Sequence, residues 1–364
     1  MTIIQQPAAK SLTSEMKDFI VESDIDIHFE ILLNNDVILD ELYTPDISNR
    51  IHVKALGEFC ENYLKGEFDT EVQSEVSKTF KFRINNVVAG NSLVLLCRAK
   101  SNQSSEAWFT DRFLNIQYRK KITVPNAKEF VTAFLNNVKN KVYAQLTYQD
   151  NGLKRSVRKV VYTGNGKFYT VDVSFSKVAS LFPEIPERAI IDYNISLHES
   201  DADIQFIVDW ETYLSAKTFL YLNSFGVPES LVCRGEIFRK GIPSFTGAKI
   251  DGIEHKYNIR RDDTFEVSFG KIYAQNDYLL FREMIGSEDV KCFFDGKYRK
   301  IIITEENTNI NQKAGAFSVG KFTFRFADTK DNVSLIDNQW ILETGVWNDK
   351  GYWFDSGTWN DNPV

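Results

Sequence analysis

A chain of 364 residues, 43% hydrophobic and without a long biased tract, has the composition of a globular protein of two or three domains. Its 43 basic and 50 acidic side chains leave a formal charge of −7. That balance excludes a nucleic acid as the main partner, because polyanion binders need excess basic charge to displace counterions.

In chain order, residues 1–20 read as an N-terminal arm. MTIIQQPAAKSLTSEMKDFI places charged and polar residues where a signal peptide would need an apolar stretch, and it has no lipid-attachment cysteine. Nowhere do about 18 apolar residues run consecutively, so no membrane insertion is expected.

From residue 21 onward, period-two alternation dominates. Ile25, Ile27, Phe29 and Ile31 share one face of DIDIHFEIL, with Asp26, His28 and Glu30 on the other. Next comes a single helix, on which Leu56, Phe59, Cys60, Tyr63 and Leu64 follow helical spacing and Gly66 stands as a left-handed C-cap. Further strands are predicted from Tyr169/Val171/Val173/Phe175, Ile191/Tyr193/Ile195/Leu197, Ile204/Phe206/Val208/Trp210 and Phe322/Phe324/Phe326. Asn151-Gly152, Asn165-Gly166, Asp251-Gly252 and Asp295-Gly296 suit hairpin turns that need positive φ. The fold class is therefore mainly β: two tandem antiparallel β-sandwich-like domains, 21–155 and 156–335, with one short helix in the first. Their boundary is placed at the polar stretch QDNGLKRSVRK, and residues 336–364 form a separate appendix.

Catalytic patterns fail at nameable residues. GNGK at 164–167 lacks the earlier glycine and the following Ser or Thr of a phosphate loop, because Val161 and Phe168 stand there. His198-Glu199 begins a zinc-protease pattern, but position 202 is Ala; His28, His52 and His255 have no second ligand at helical spacing. There is no G-x-S-x-G elbow. Carboxylates alone do not make a glycosidase dyad. Cys60, Cys97, Cys233 and Cys292 are scattered and read as buried free thiols. The basic clusters Arg119/Lys120/Lys121, Arg155/Arg158/Lys159 and Lys297/Arg299/Lys300 adjoin strand-like runs and read as solvated strand ends. No enzyme activity, cofactor or metal is expected.

The end of the chain is the most unusual part. GVWNDK, GYWFDS and GTWNDN repeat Gly-x-Trp-x-Asp-x at a period of six, with Trp347, Trp353 and Trp359 alternating with Asp349, Asp355 and Asp361. A helix would point the three tryptophans in three directions. An extended chain puts them on one face about every 20 Å, and a three-sided β-coil would need something to stack upon. With Trp340, four of the six tryptophans lie in the last 25 residues, a concentration that suits docking or self-assembly. In LNSFGVPES, Pro228 ends the preceding strand, so Phe225-Gly226 forms either a protruding loop suited to a subunit contact or an internal corner.

Three segments carry a resemblance to tail or baseplate structural proteins of phages and prophages of Bacteroidetes-type bacteria. They are LYTPDISNRIHVKALGEFCENYL (42–64), TFLYLNSFGVPESLVCRGE (218–236), and AFSVGKFTFRFAD (316–328) followed by WILETGVWNDKGYWFDSGTWND. The NSFGVPE run and the hexads are its most specific parts. The resemblance implies a virion component, similar to distal-tail or hub proteins that form rings. Its partners would be further copies of itself, as a ring or trimer, and other virion proteins. It supplies no catalytic residues. The competing reading is a carbohydrate-binding module for receptor recognition, with the hexad tryptophans stacking on sugar rings and the aspartates accepting hydroxyl hydrogen bonds.

Overall fold

The computed structural model describes the chain except residues 102, 116–118, 136–139, 165–166, 198–203, 212–216, 251, 273–274, 295, 310–317, 328–344, 349–351 and 356–364. It is mainly β. Two compact units appear, one of residues 1–240 with 264–325 and the other of 241–263 with 326–364.

The first unit begins as a sandwich. One layer is a five-stranded sheet in the order Lys10–Leu12, Val87–Leu95, Ser77–Ile84, Ile27–Leu33, Asp36–Tyr43; the other joins Thr2–Gln5, Phe19–Glu22 and Arg50–Val53. Alternation explains why they close on each other: Ile27, Phe29 and Ile31 meet Phe19, Val21, Ile51 and Val53 in one core with Phe80 and Phe82. Phe19 packs on Phe29 and on Phe82 with ring centroids 5.2 Å apart in each case. Ile25, expected on this face, precedes the strand and is exposed. Glu30, expected outside, is buried and paired with Arg83 at 2.8 Å.

The N-terminal residues differ from an arm. Thr2–Gln5 pairs antiparallel with Phe19–Glu22, and Lys10–Leu12 pairs parallel with Val87–Leu95. Strands of three or four residues are too short to show a period, and only the sandwich edges they complete define them.

A second five-stranded sheet follows the order Lys120–Thr123, Ile204–Val208, Ile190–Ser196, Asn140–Asp150, Leu153–Gly164, with its first pair parallel. Phe168–Asp172, Phe130–Phe134 and Arg112–Phe113 make a three-stranded sheet. The largest sheet runs Pro228–Cys233, Lys217–Leu222, Val290–Phe294, Lys297–Asn309, Ser318–Phe326, Ile253–Ile272, Ile237–Ile250. The boundary expected at 155/156 falls inside a hairpin, because Asp150 pairs with Leu153 and the ladder continues to Asn140 and Gly164. The polar stretch there is an exposed turn with a charged strand, not a linker. One further core joins Leu12, Val76, Leu95 and Cys97 to Phe134, Phe168, Phe225 and Val227, across that boundary.

The predicted helix is present but ends early, at Leu56–Glu61. Two more helices, Phe175–Ser180 and Gln275–Ile285, were not expected. The first buries Phe175, Val178 and Ala179 at helical spacing, but Phe175 also continues the alternation of the preceding strand, which hides the change of period. That strand, Phe168–Asp172, is buried on both faces, because Phe168 and Thr170 are covered as well as Tyr169 and Val171.

Asn151 and Gly152 have φ of 48° and 83°, as their hairpin requires, and Gly252 and Gly296 are likewise left-handed. Asn165-Gly166, Asp251 and Asp295 lie outside the described residues. Two turns were missed: Asn34-Asn35 and Asn85-Asn86 take positive φ in two-residue hairpins closed by Leu33–Asp36 and Ile84–Val87. Asparagine tolerates this conformation, so the Asn-Asn dipeptides were an available signal.

Candidate functional site

The 223–230 corner is internal. Phe225 is 0% exposed, and its ring lies 5.2 Å from that of Trp108. Asn223 makes the turn: its Oδ1 accepts the N–H groups of Phe225 (2.9 Å) and Val227 (3.3 Å), and its own N–H donates to the Val227 carbonyl at 2.9 Å. Gly226, with φ of 68°, lies against the Leu96 side chain, where a Cβ would come within 2.5 Å. Gly66 faces the Gly226 carbonyl so closely that a Cβ on Gly66 would sit 1.4 Å from that oxygen. The expectation that Phe225 and Gly226 form an assembly contact is therefore corrected; both are packed against the chain's own residues. Gly66 is likewise no helix cap, since the helix ends at Glu61 and Gly66 serves the close approach of two backbones.

Beside this corner lies a group of buried polar side chains that the sequence did not disclose. Lys121, expected in a solvated strand end, is buried: its side chain is 4% exposed, and that of its partner Glu129 is 0% exposed. Its Nζ donates to Glu129 Oε2 (2.5 Å), to the Ser230 carbonyl (2.5 Å) and to Ser230 Oγ (2.9 Å). Thr123 Oγ1 donates to Glu129 Oε1 at 2.8 Å, and Ser230 Oγ donates to Glu129 Oε2. Alternation accounts for the geometry, since Lys121 and Thr123 share the inward face of their strand while Lys120 and Ile122 are less covered.

Directly before Ser230, Glu229 is fully buried and receives the Asn223 amide N–H at 2.9 Å on Oε2. Asn223 Nδ2 also donates to the Leu114 carbonyl at 3.1 Å. Burial above all, and then the charge of Glu283, push the Glu229 carboxyl up to about 8, against the opposing influence of Lys121, Asn223 and Asn115. At neutral pH it is thus mostly the uncharged acid.

A lysine, a carboxylate and a serine in mutual contact have the residue types of a nucleophilic site. Here Lys121 and Ser230 tie the strands 120–123 and 228–233 to Glu129, and Ser230 is itself fully buried. The contacts pair the Lys121 charge with that of Glu129 and fix both strands to it. All four cysteines are free and buried, and burial pushes the Cys60 and Cys292 thiols up to about 12.

Among the described residues no group of His, Cys, Asp and Glu is placed to hold a metal, and no helix is long and apolar enough to cross a membrane. An open cavity of about 280 Å³ on the large sheet is lined by Glu266, Glu305, Glu306, Asn307 and Lys321; Lys321 pairs with Glu266 at 3.3 Å.

In the second unit, Gly345–Asn348 and Tyr352–Asp355 pair as an antiparallel hairpin, with Trp347 opposite Trp353 and Gly345 opposite Asp355. The first two hexads thus fold back on one another. Their tryptophans are registered partners across a ladder, with Cα atoms about 4.5–5.5 Å apart, instead of recurring along one straight strand. Trp340, Asp349, Trp359 and Asp361 lie outside the described residues.

No protein family matches this chain, and no curated protein matches it.

Proposed function

We propose that this protein is a non-enzymatic structural subunit of a phage tail, baseplate or related injection apparatus. It assembles with copies of itself and with other virion proteins, and its site of action is the virion. The observation that carries the reading is where the polar and apolar side chains lie. The Lys121–Glu129–Ser230 group is enclosed and tied to neighbouring strands, whereas strand ends and hairpins expose Val37, Leu42, Val87, Val88 and Leu153. A molecule of this kind offers surfaces for other chains in preference to a cleft for a small substrate. The resemblance of the NSFGVPE and hexad segments to tail and baseplate proteins supports the same conclusion.

Sedimentation velocity and electron microscopy of the purified protein test it. Rings or trimers that form as concentration rises are the expected result. A persistent monomer that binds a glycan, with binding lost in Trp353→Ala, would replace the structural role by receptor recognition.

A further inference from the structure

Two long strands end their sheets with no further neighbour among the described residues. Asp36–Tyr43 pairs only with Ile27–Leu33, and Leu153–Gly164 only with Asn140–Asp150. Other edges are less available. Pro228–Cys233 is buried throughout, Lys10–Leu12 and Lys120–Thr123 are short, and Ile237–Ile250 contains Pro243, which has no N–H to offer.

An uncovered edge presents a row of N–H and C=O groups able to pair with another strand. The two edges differ in charge. One carries Asp36, Asp40 and Glu41, the other Lys154, Arg155, Arg158 and Lys159. Both also expose apolar side chains, with Leu42 58% and Leu153 64% accessible.

We propose that the acidic edge of one copy pairs antiparallel with the basic edge of a second copy. This deepens the assembly reading and rests on it.

Backbone geometry restricts the register. Both strands leave two-residue turns, closed by Leu33–Asp36 and by Asp150–Leu153. In such a hairpin the closing pair is mutually hydrogen-bonded, so Asp36 and Leu153 direct their backbone groups into their own sheets and the next residues direct theirs outward. A bulge at Ile38, where Leu32 faces Val37 and Ile31 faces Leu39, shifts this alternation once. Outward groups are then those of Val37, Asp40 and Leu42 on one edge, and Lys154, Ser156 and Arg158 on the other.

Only registers that join outward to outward can form a ladder, and these differ by steps of two. One of them sets Leu42 on Lys154, Asp40 on Ser156 and Val37 on Arg158. Between these fall Tyr43 on Leu153, Glu41 on Arg155, Leu39 on Val157 and Asp36 on Lys159. Two opposite-charge pairs and two apolar pairs result, and no like charges oppose each other. A step of two in either direction leaves a single opposite-charge pair.

Present partners do not block this. Glu41 accepts the Tyr43 hydroxyl at 2.5 Å, Arg155 meets Asp150 at 2.9 Å, and Lys159 meets Glu184 at 3.2 Å while its Nζ also donates to the Leu181 carbonyl at 2.5 Å. Such partly exposed pairs are weak and exchange readily. Because the two edges are different surfaces, the contact is head-to-tail, which closes into a ring or continues as a filament.

Sedimentation velocity of the full chain tests the pairing on four proteins. These are the wild type, Asp36→Lys with Glu41→Lys, Arg155→Glu with Lys159→Glu, and all four changes together. We expect the wild type to assemble beyond a dimer, each reversal to weaken association at least tenfold, and the fourfold swap to restore it. Unchanged melting temperatures would show that the folds are intact. If a reversal lowers melting, Tyr43→Cys with Leu153→Cys reports the register instead: oxidation should give a ladder of disulfide-linked oligomers, and neither single variant should cross-link. Oligomers indifferent to both reversals, or a cross-link from a single variant, overturn the edge pairing and leave the assembly reading standing. A wild type that stays monomeric at every concentration overturns both.

Discussion

The 223–230 corner and the 345–355 hairpin combine the same ingredients, aromatic residues beside glycine, in different backbone settings: a turn closed by a side-chain amide and a two-stranded ladder. At the corner, the amide of Asn223, Trp108 and the Gly66 backbone enclose Phe225-Gly226. The hairpin brings Trp347 opposite Trp353 in a two-stranded ladder, and a ladder of two strands alone is marginally stable in water. The difference teaches that an unusual motif does not announce whether it faces inward or toward a partner. Its surroundings in space decide that, and for the corner these come from residues 66, 96 and 108.

The sharpest way to break the comparison is Gly66→Ala. With a Cβ 1.4 Å from a backbone oxygen, the corner must open, and circular dichroism should show the first unit losing its cooperative melting transition. Retained melting would mean that the two backbones can separate without cost.

Next in size is Lys121→Met, which leaves Glu129 buried without its cation. Breaking a buried pair from one side typically costs about 3–5 kcal/mol, and urea denaturation should read a loss of that order. Adding Glu129→Leu should recover much of it, because the stranded charge is then gone.

Glu229 gives a pH signature. Its folded value, about 8, lies above the usual carboxyl range, so the native state holds a proton that the unfolded chain releases. Below about pH 4 both states are protonated and the group has no effect. As pH rises from there to about 8, stability should fall, by up to about 4 kcal/mol, and then level off. Glu229→Gln should flatten that slope in melting curves recorded between pH 5 and 8; an unchanged slope would assign it to other groups.

The smallest effect on the body is expected at the hairpin. Trp353→Ala should weaken association by about 2 kcal/mol, roughly thirtyfold, as an interface anchor does, while the main melting transition stays in place. Asp355→Ala should cost association about 1 kcal/mol or less. If Asp355→Ala is the more severe and a chelator reproduces it, the repeat holds a cation.

Legibility in the sequence followed the length of the pattern. Ile27, Phe29 and Ile31, or Ile204, Phe206 and Val208, declare a strand and its inward face because alternation persists over five or more residues. Phe175 did not declare a helix, since one residue served two periods. Lys121 could not be distinguished from the adjacent Lys120, because only the arrival of Glu129 and Ser230 makes a lysine tolerable inside. The edges were hidden for another reason: that a strand lacks a neighbour is a property of the whole sheet order, which no local window contains.

The parallel strand Lys10–Leu12 has a consequence for the time course of synthesis. Leu12 shares a core with Leu95, Phe168 and Phe225, so its native surroundings are incomplete until more than two hundred further residues have been made. At about 5–20 residues per second this is a delay on the order of ten to forty seconds. Early in that interval, until residues 93–95 arrive, Lys10–Leu12 also lacks its strand partner, and Leu12 stays incompletely covered to the end of it, within reach of chaperones and of neighbouring nascent chains. Non-local pairings of this kind also slow refolding, and the late-arriving Phe225 corner is where the two ends of the wait meet.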